Sequence, residues 1–252
     1  MLRDTQTFDS EKAEALRRIW FLGDVHNEFE HVTQALLDAV EKPRWLVFLG
    51  DIDATQKPFR VILEDMTRNL PEVRVAFIYG NHDADNYEAW ELLHDCGPAL
   101  PLHGQVLDLD GVGVAGLGGN FIGRVWTPPG EIKFANKNAA MNRGDYQFRS
   151  GQRPKSTFHG AIYPDDLAIM AGQQADILVT HEAPSCHPHG FAALDELARS
   201  MSVVRTFHGH HHDDLSDEYA KVREELGFDA LAVGLRAIKN GLGEVVLART
   251  EG

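Results

Sequence analysis

Cysteine is nearly absent from this chain: Cys96 and Cys186 are the only two in 252 residues. That excludes a disulfide-stapled fold and a cysteine-rich structural zinc site. No apolar run approaches the roughly 18 residues of a membrane-spanning helix, so no membrane span is expected. The stretch from Met1 to Arg18 is polar and mixed in charge, unlike a secretory signal, and free thiols fit a cytoplasmic protein. Basic residues are also in short supply. Lys and Arg number 24 against 38 Asp and Glu, a net charge of −14 that argues against a protein coating long nucleic acid. There is no internal repeat and no low-complexity tract.

What remains is ordinary globular material, 43% hydrophobic and 25% charged. The length suits one large domain, with no linker that divides it. Ile19 to Leu22, Trp45 to Leu49 and Val73 to Tyr79 read as short buried strands. Helical patterns separate them over Glu28 to Val40 and Pro58 to Asn69, which gives a β-α-β-α-β opening. Further strands are expected at Gln105 to Leu109, Val112 to Leu117, Asp176 to Thr180, Val203 to Phe207, Leu231 to Leu235 and Glu244 to Arg249. The Asp110-Gly111 pair between the first two of these predicts a hairpin. The late strands have few crossover helices, which predicts a second sheet packed on the first.

Polar residues of metal-ligand type stand at five of the strand ends. They are Asp24 with His26, Asp51, Asn81 with His82, His181, and His210 with His212. Ligands of open α/β sheets bind at such carboxyl ends. In extended backbone, residues two apart point the same way, so Asp24 with His26, and His210 with His212, could each grip one ion. Oxygen and imidazole donors without thiolate suit Mn, Fe, Zn, Ni or Co. Eight such groups exceed the needs of one tetrahedral ion, but two ions bridged by a carboxylate would use seven of them. Such a pair suits phosphoryl chemistry, because it acidifies a shared water and clamps the phosphoryl oxygens.

The motifs in order are Gly23-Asp24-Val25-His26, Gly50-Asp51-Ile52-Asp53, Gly80-Asn81-His82-Asp83, His181 and Gly209-His210-His211-His212. Together they resemble the calcineurin-like metallophosphoesterase superfamily, over residues 24 to 212. The resemblance implies a four-layer αββα sandwich, two mixed sheets face to face with helices outside. It implies hydrolysis of phosphomonoesters or phosphodiesters at two divalent ions, Mn²⁺ foremost, with a hydroxide shared by the ions as nucleophile. It assigns Asp24, His26 and His212 to one ion, Asn81, His181 and His210 to the other, and Asp51 to both. His82 then faces the substrate, and Asp83 holds the His82 ring. The resemblance also leaves room for a catalytically silent scaffold of the same fold. Within the enzymes it leaves a Ser/Thr protein phosphatase or a dinucleotide polyphosphate hydrolase open. The protein phosphatase pattern, Gly-Asp-x-Val-Asp-Arg-Gly, is broken here, because the Arg is missing and Asp53 comes one place early; no role is carried onto Asp53.

The long segment from Gly118 to Gly160 is expected to set specificity. It holds seven basic residues, Arg124, Lys133, Lys137, Arg143, Arg149, Arg153 and Lys155, against Glu131 and Asp145. Arg143, Arg149 and Arg153 are candidates for binding substrate phosphate, on a small molecule or a phosphoprotein. Trp126, Phe134, Tyr146 and Phe148 are candidates for stacking on the leaving group. His187 and His189 read as turn residues near the site's mouth, and Cys186 as a spectator thiol.

Overall fold

A computed structural model of the chain describes Phe8 and residues 10–142 and 154–248. Eleven strands form two mixed sheets among the described residues. The first sheet has the order β11-β10-β1-β2-β3-β4, from Val245–Leu247 (β11), Ile238–Asn240 (β10), Ile19–Leu22 (β1), Trp45–Leu49 (β2), Arg74–Ile78 (β3) and Leu100–Pro101 (β4). Strands β1 to β4 run parallel, and β10 and β11 are antiparallel additions. The second sheet has the order β5-β6-β7-β8-β9, from Gln105–Leu109, Val112–Leu117, Ile177–Thr180, Arg205–His208 and Asp229–Ala232. Here β6 to β9 are parallel and β5 closes the Asp110-Gly111 hairpin.

Alternation along the strands explains the layers. Ile19 and Phe21 point into the space between the sheets, with Val47, Leu49, Ala76 and Ile78, and meet Val114, Val179 and Phe207 from the second sheet. Phe21 stacks on Phe207 with ring centroids 4.1 Å apart. Trp20 and Leu22 point outward, where helices α2 (Glu30–Asp38), α3 (Phe59–Thr67) and α4 (Tyr87–His94) cover them with Val32, Leu36, Phe59, Leu63 and Leu93. The outer face of the second sheet is covered through Met170, Leu194 and Leu197, which come from helices α6 (Pro164–Met170) and α7 (Ala192–Ser200). Helix α1 is Ser10–Arg17, and α5, Lys137–Met141, belongs to the 118–160 segment. Among the described residues no helix is long and apolar enough to cross a membrane.

The expected closing strands differ in place. The strand foreseen at Leu231 to Leu235 starts at Asp229 and stops at Ala232. Residues 233–237 then turn from the second sheet to the first, where β10 pairs with β1. Gly234 and the left-handed Arg236 break the extended run, and the three-residue β10 is too short to show a period. The last two strands therefore return to the first sheet.

Within the described part of 118–160, Val125, Ala140 and Phe158 form a small core of their own with Ala161 and Tyr163. Trp126 packs edge-on against Phe121 at 5.4 Å, and Phe134 against Phe158 at 6.0 Å, so both foreseen stacking aromatics have protein partners. Arg143, Arg149, Arg153, Tyr146 and Phe148 lie outside the described residues.

Candidate metal centre

All the parallel strands end on one rim of the sandwich, and the polar motifs follow them there. The backbone in these turns is not extended. Apart from Asp110 and Ser202, every non-glycine residue with positive φ among the described residues sits in the turns after β1, β2, β8 and β9. They are Asp24, His26, Asn27, Asp51, Asp53, His210, His212 and Arg236. Such backbone costs about 1–3 kcal/mol per residue and concentrates at functional sites. Glycines make the crowding possible. A Cβ on Gly80 would collide with Asp51 Oδ1, and one on Gly209 would lie 2.6 Å from Asp24 Oδ2.

Two clusters of donor atoms result, each with all atoms within 4.8 Å of one another. One is Asp24, His26, Asp51 and His212; the other is Asp51, His181 and His210. Asn81 joins the second through Oδ1, 3.1 Å from His181 Nε2. Asp51 belongs to both and divides its oxygens: Oδ2 is 3.9 Å from His26 Nε2, and Oδ1 is 3.4 Å from His181 Nε2. The pairing by alternation holds for Asp24 with His26 but not for His210 with His212. The left-handed turn sends these two rings to different clusters, His212 to within 3.0 Å of His26 Nε2 and His210 to the His181 side.

Hydrogen bonds fix which ring nitrogen two of the histidines offer. Leu49 O accepts from His181 Nδ1 at 2.9 Å, which leaves Nε2 for the site. Asp53 Oδ2 is 2.7 Å from His26 Nδ1, with the same effect. Asp53 is thus a site residue that the motif reading passed over. Asp24 accepts from the His210 amide through both oxygens, at 2.9 and 3.0 Å, tying the first motif to the last.

The electrostatics suit cations. Burial raises the Asp24 carboxyl to about 7, with Asp51 adding to the effect and His181 opposing it. Burial would also raise Asp51 and depress His181, but the contact between them outweighs it in both cases. Asp51 sits below the usual carboxylate range and His181 is lifted to about 10. Burial, then His181, lowers His210 to about 4, and burial lowers His212, so both offer neutral imidazoles. The neutral imidazoles of His210 and His212 beside the buried carboxylates of Asp24 and Asp51 fit divalent cations of the borderline kind.

The catalytic candidates separate in the structure. His82 reaches the surface, with Nδ1 2.8 Å from Asp85 Oδ2. Asp83 does not hold that ring, which corrects the role expected from the motif. It is buried, and its oxygens accept from the amides of Gly80 and Asp53, each at 2.8 Å. Asp83 therefore braces the motif turns, and Asp85 orients the imidazole. The 154–160 segment braces the same turn: Ser156 Oγ donates to Asp85 O at 2.9 Å and Tyr87 OH to Pro154 O at 2.7 Å.

Glu182 is a second missed residue. It is buried, with Oε2 3.8 Å from His210 Nε2 and Oε1 accepting from the Phe121 amide at 3.0 Å. Burial raises its carboxyl to about 7. Its only sequence signal is adjacency to His181. His187 and His211 stack at 3.7 Å behind the centre, and His187 Nε2 faces Asp213 Oδ2 at 3.3 Å. His187 Nδ1 already accepts from the His189 amide at 3.0 Å, which suits a structural ring rather than a ligand.

A family model described as calcineurin-like phosphoesterase matches residues 17–214. An uncharacterized protein of Haemophilus influenzae is 30% identical over 232 residues, 91% of this chain and 96% of that protein. The crystal structure of TT1561 of Thermus thermophilus is similar with a TM-score of 0.51 at 14% identity, covering 89% of this chain and 94% of that one.

Proposed function

The chain belongs to the calcineurin-like phosphoesterase family, and from that premise we propose that it hydrolyses a phosphoester at a dinuclear centre built from the two clusters around Asp51. The division of the Asp51 oxygens between the clusters carries this reading, since one carboxylate facing two donor sets is what a bridging ligand does. Asp24, His26 and His212 would hold one ion, Asn81, His181 and His210 the other, and Asp51 both. When bound, two such ions supply an acidified water and charge stabilisation for the phosphoryl oxygens.

The chain's own groups do the rest. His82 stands exposed at the edge of the centre, its ring 5.4 Å from that of His26 and its Nδ1 held by Asp85, which leaves Nε2 for a substrate. It would give a proton to the leaving oxygen or stabilise the phosphoryl group. A poised imidazole beside a full donor set favours a catalyst over a silent scaffold. The buried Asp83 and the half-buried Asp53 hold the turns that carry His82 and His26.

The substrate class and the native metal follow from experiment. Phosphomonoesters, cyclic nucleotides, dinucleotide polyphosphates and phosphopeptides should be assayed with Mn²⁺, then with Fe, Zn, Ni and Co. Turnover of at least one class, abolished by chelation, supports the reading. Metal-free protein with full activity, or metal-loaded protein inert on every class, counts against it.

A further inference from the structure

Arg236 is the one arginine with positive φ among the described residues, at +54°. Asp, Asn and His tolerate that region because their short polar side chains bond locally, whereas arginine gains nothing comparable there. Its turn, residues 233–237, crosses between the sheets on the same rim as the metal centre. The Leu235 amide donates to His212 O at 3.4 Å, and the Gly23 amide donates to Ala237 O at 3.1 Å. Arg236 is thus tied on one side to the last motif and on the other to the first.

The side chain is partly buried, and its Nε is shielded from water with no hydrogen-bond partner among the described residues. Its charge is felt at His31, in the first turn of α2: burial lowers that imidazole, and Arg236 lowers it further. Glu28 acts on His31 in the opposite sense, and no described carboxylate forms an ion pair with Arg236. By contrast, Arg44, Arg60 and Arg205 all pair with aspartates. Arg236 therefore stands on the rim between the turns that carry His212 and Asp24. A strained backbone that delivers an unpaired, partly desolvated guanidinium to the edge of a phosphoester site is a cost without a structural return.

We infer that Arg236 sets specificity by binding a second anionic group of the substrate, a carboxylate or phosphate next to the phosphoryl group that is hydrolysed. This rests on the phosphoesterase reading. The planar fork of arginine is suited to such a group, and Arg236 belongs to neither donor cluster, which separates this contact from the reacting phosphoryl.

The test uses phosphonates, which the enzyme cannot hydrolyse. Manganese-loaded protein is titrated by calorimetry with methylphosphonate, which has one anionic group. Phosphonoacetate and 3-phosphonopropionate then add a carboxylate at two reaches. Wild type should bind at least one of the carboxylated probes more tightly than methylphosphonate. Arg236→Ala and Arg236→Gly should lose about 10- to 100-fold on that probe and stay within about twofold on methylphosphonate. Glycine accepts the left-handed backbone, so Arg236→Gly should keep or raise Tm and report on binding alone. No preference in wild type, or a preference that both variants retain, overturns the inference. Equal weakening of every probe places the guanidinium on the reacting phosphoryl and also overturns it. Failure of wild type to bind methylphosphonate sinks the phosphoesterase reading itself.

Discussion

His82 takes its orientation from Asp85, three residues on, at 2.8 Å, and not from Asp83 beside it. The 3-10 turn His82–Ala84 brings positions 82 and 85 to one side and turns Asp83 inward to the Gly80 and Asp53 amides. Burial tends to lower the His82 imidazole, but Asp85, with Asp51 and Asp53, leaves it raised. An imidazole acting as an acid loses activity as pH climbs through its pKa. Asp85→Asn removes an anion, lowers that pKa and should move the alkaline limb of the pH–rate profile downward. Metal content should stay at the wild-type level. An unmoved limb would leave Asp85 a surface residue.

His82 itself separates chemistry from metal binding. His82→Ala should leave the metal content unchanged while kcat falls about 10²- to 10⁴-fold, the usual range of acid–base help. The loss should be smaller on p-nitrophenyl phosphate than on an alkyl phosphate, because nitrophenolate leaves without a proton. Equal losses on both would assign His82 to stabilising phosphoryl charge instead. Loss of an ion would make it a ligand.

The centre should be most sensitive at its shared member. Asp51→Asn should cost more metal and more activity than His26→Ala or His210→Ala, since one carboxylate faces both clusters. Gly80→Ala tests the same point through packing. Its new methyl falls on Asp51 Oδ1 and close to the His181 ring, so both ions should be lost although no ligand is changed. Metal analysis of the purified variants decides. Two ions retained in Asp51→Asn would end the bridging role.

Much of this was legible in the sequence, for definable reasons. A buried parallel strand is a short apolar run, and a ligand at its end is a polar residue after a glycine. Both survive in one dimension, so β1, β2, β3 and β7 and the six residues of the two clusters could be read directly. What could not be read depends on turn geometry. Alternation placed His210 and His212 together, but φ of 70° and 60° turned them apart. The same geometry hid Asp53, which seemed one place out of pattern yet reaches His26, and Arg236, whose strand stops before it. Glu182 was hidden because burial beside a ligand leaves no mark in a sequence.

Loading the centre should release protons, and the amount should depend on pH in a defined way. His181 is lifted to about 10 by Asp51 and neighbours against the pull of burial, so near pH 8 the metal-free ring carries a proton that a ligand must give up. Asp24 is raised to about 7 chiefly by burial, so below that pH a second proton must leave. His210, lowered to about 4, contributes none at neutral pH. Between pH 7 and 10 the affinity should therefore rise at least about tenfold per pH unit for the His181 proton, and more steeply below pH 7, where Asp24 and His26, the latter raised chiefly by Asp53, give up protons as well. Calorimetric titration with Mn²⁺ in buffers of different ionisation enthalpy counts the protons directly. About one near pH 8, rising to two or more near pH 6, is the expected result. His181→Asn should remove the alkaline dependence and leave the acidic one. Affinity that does not change with pH above 7 would show that His181 is already neutral, and that its contact with Asp51 is not an ion pair.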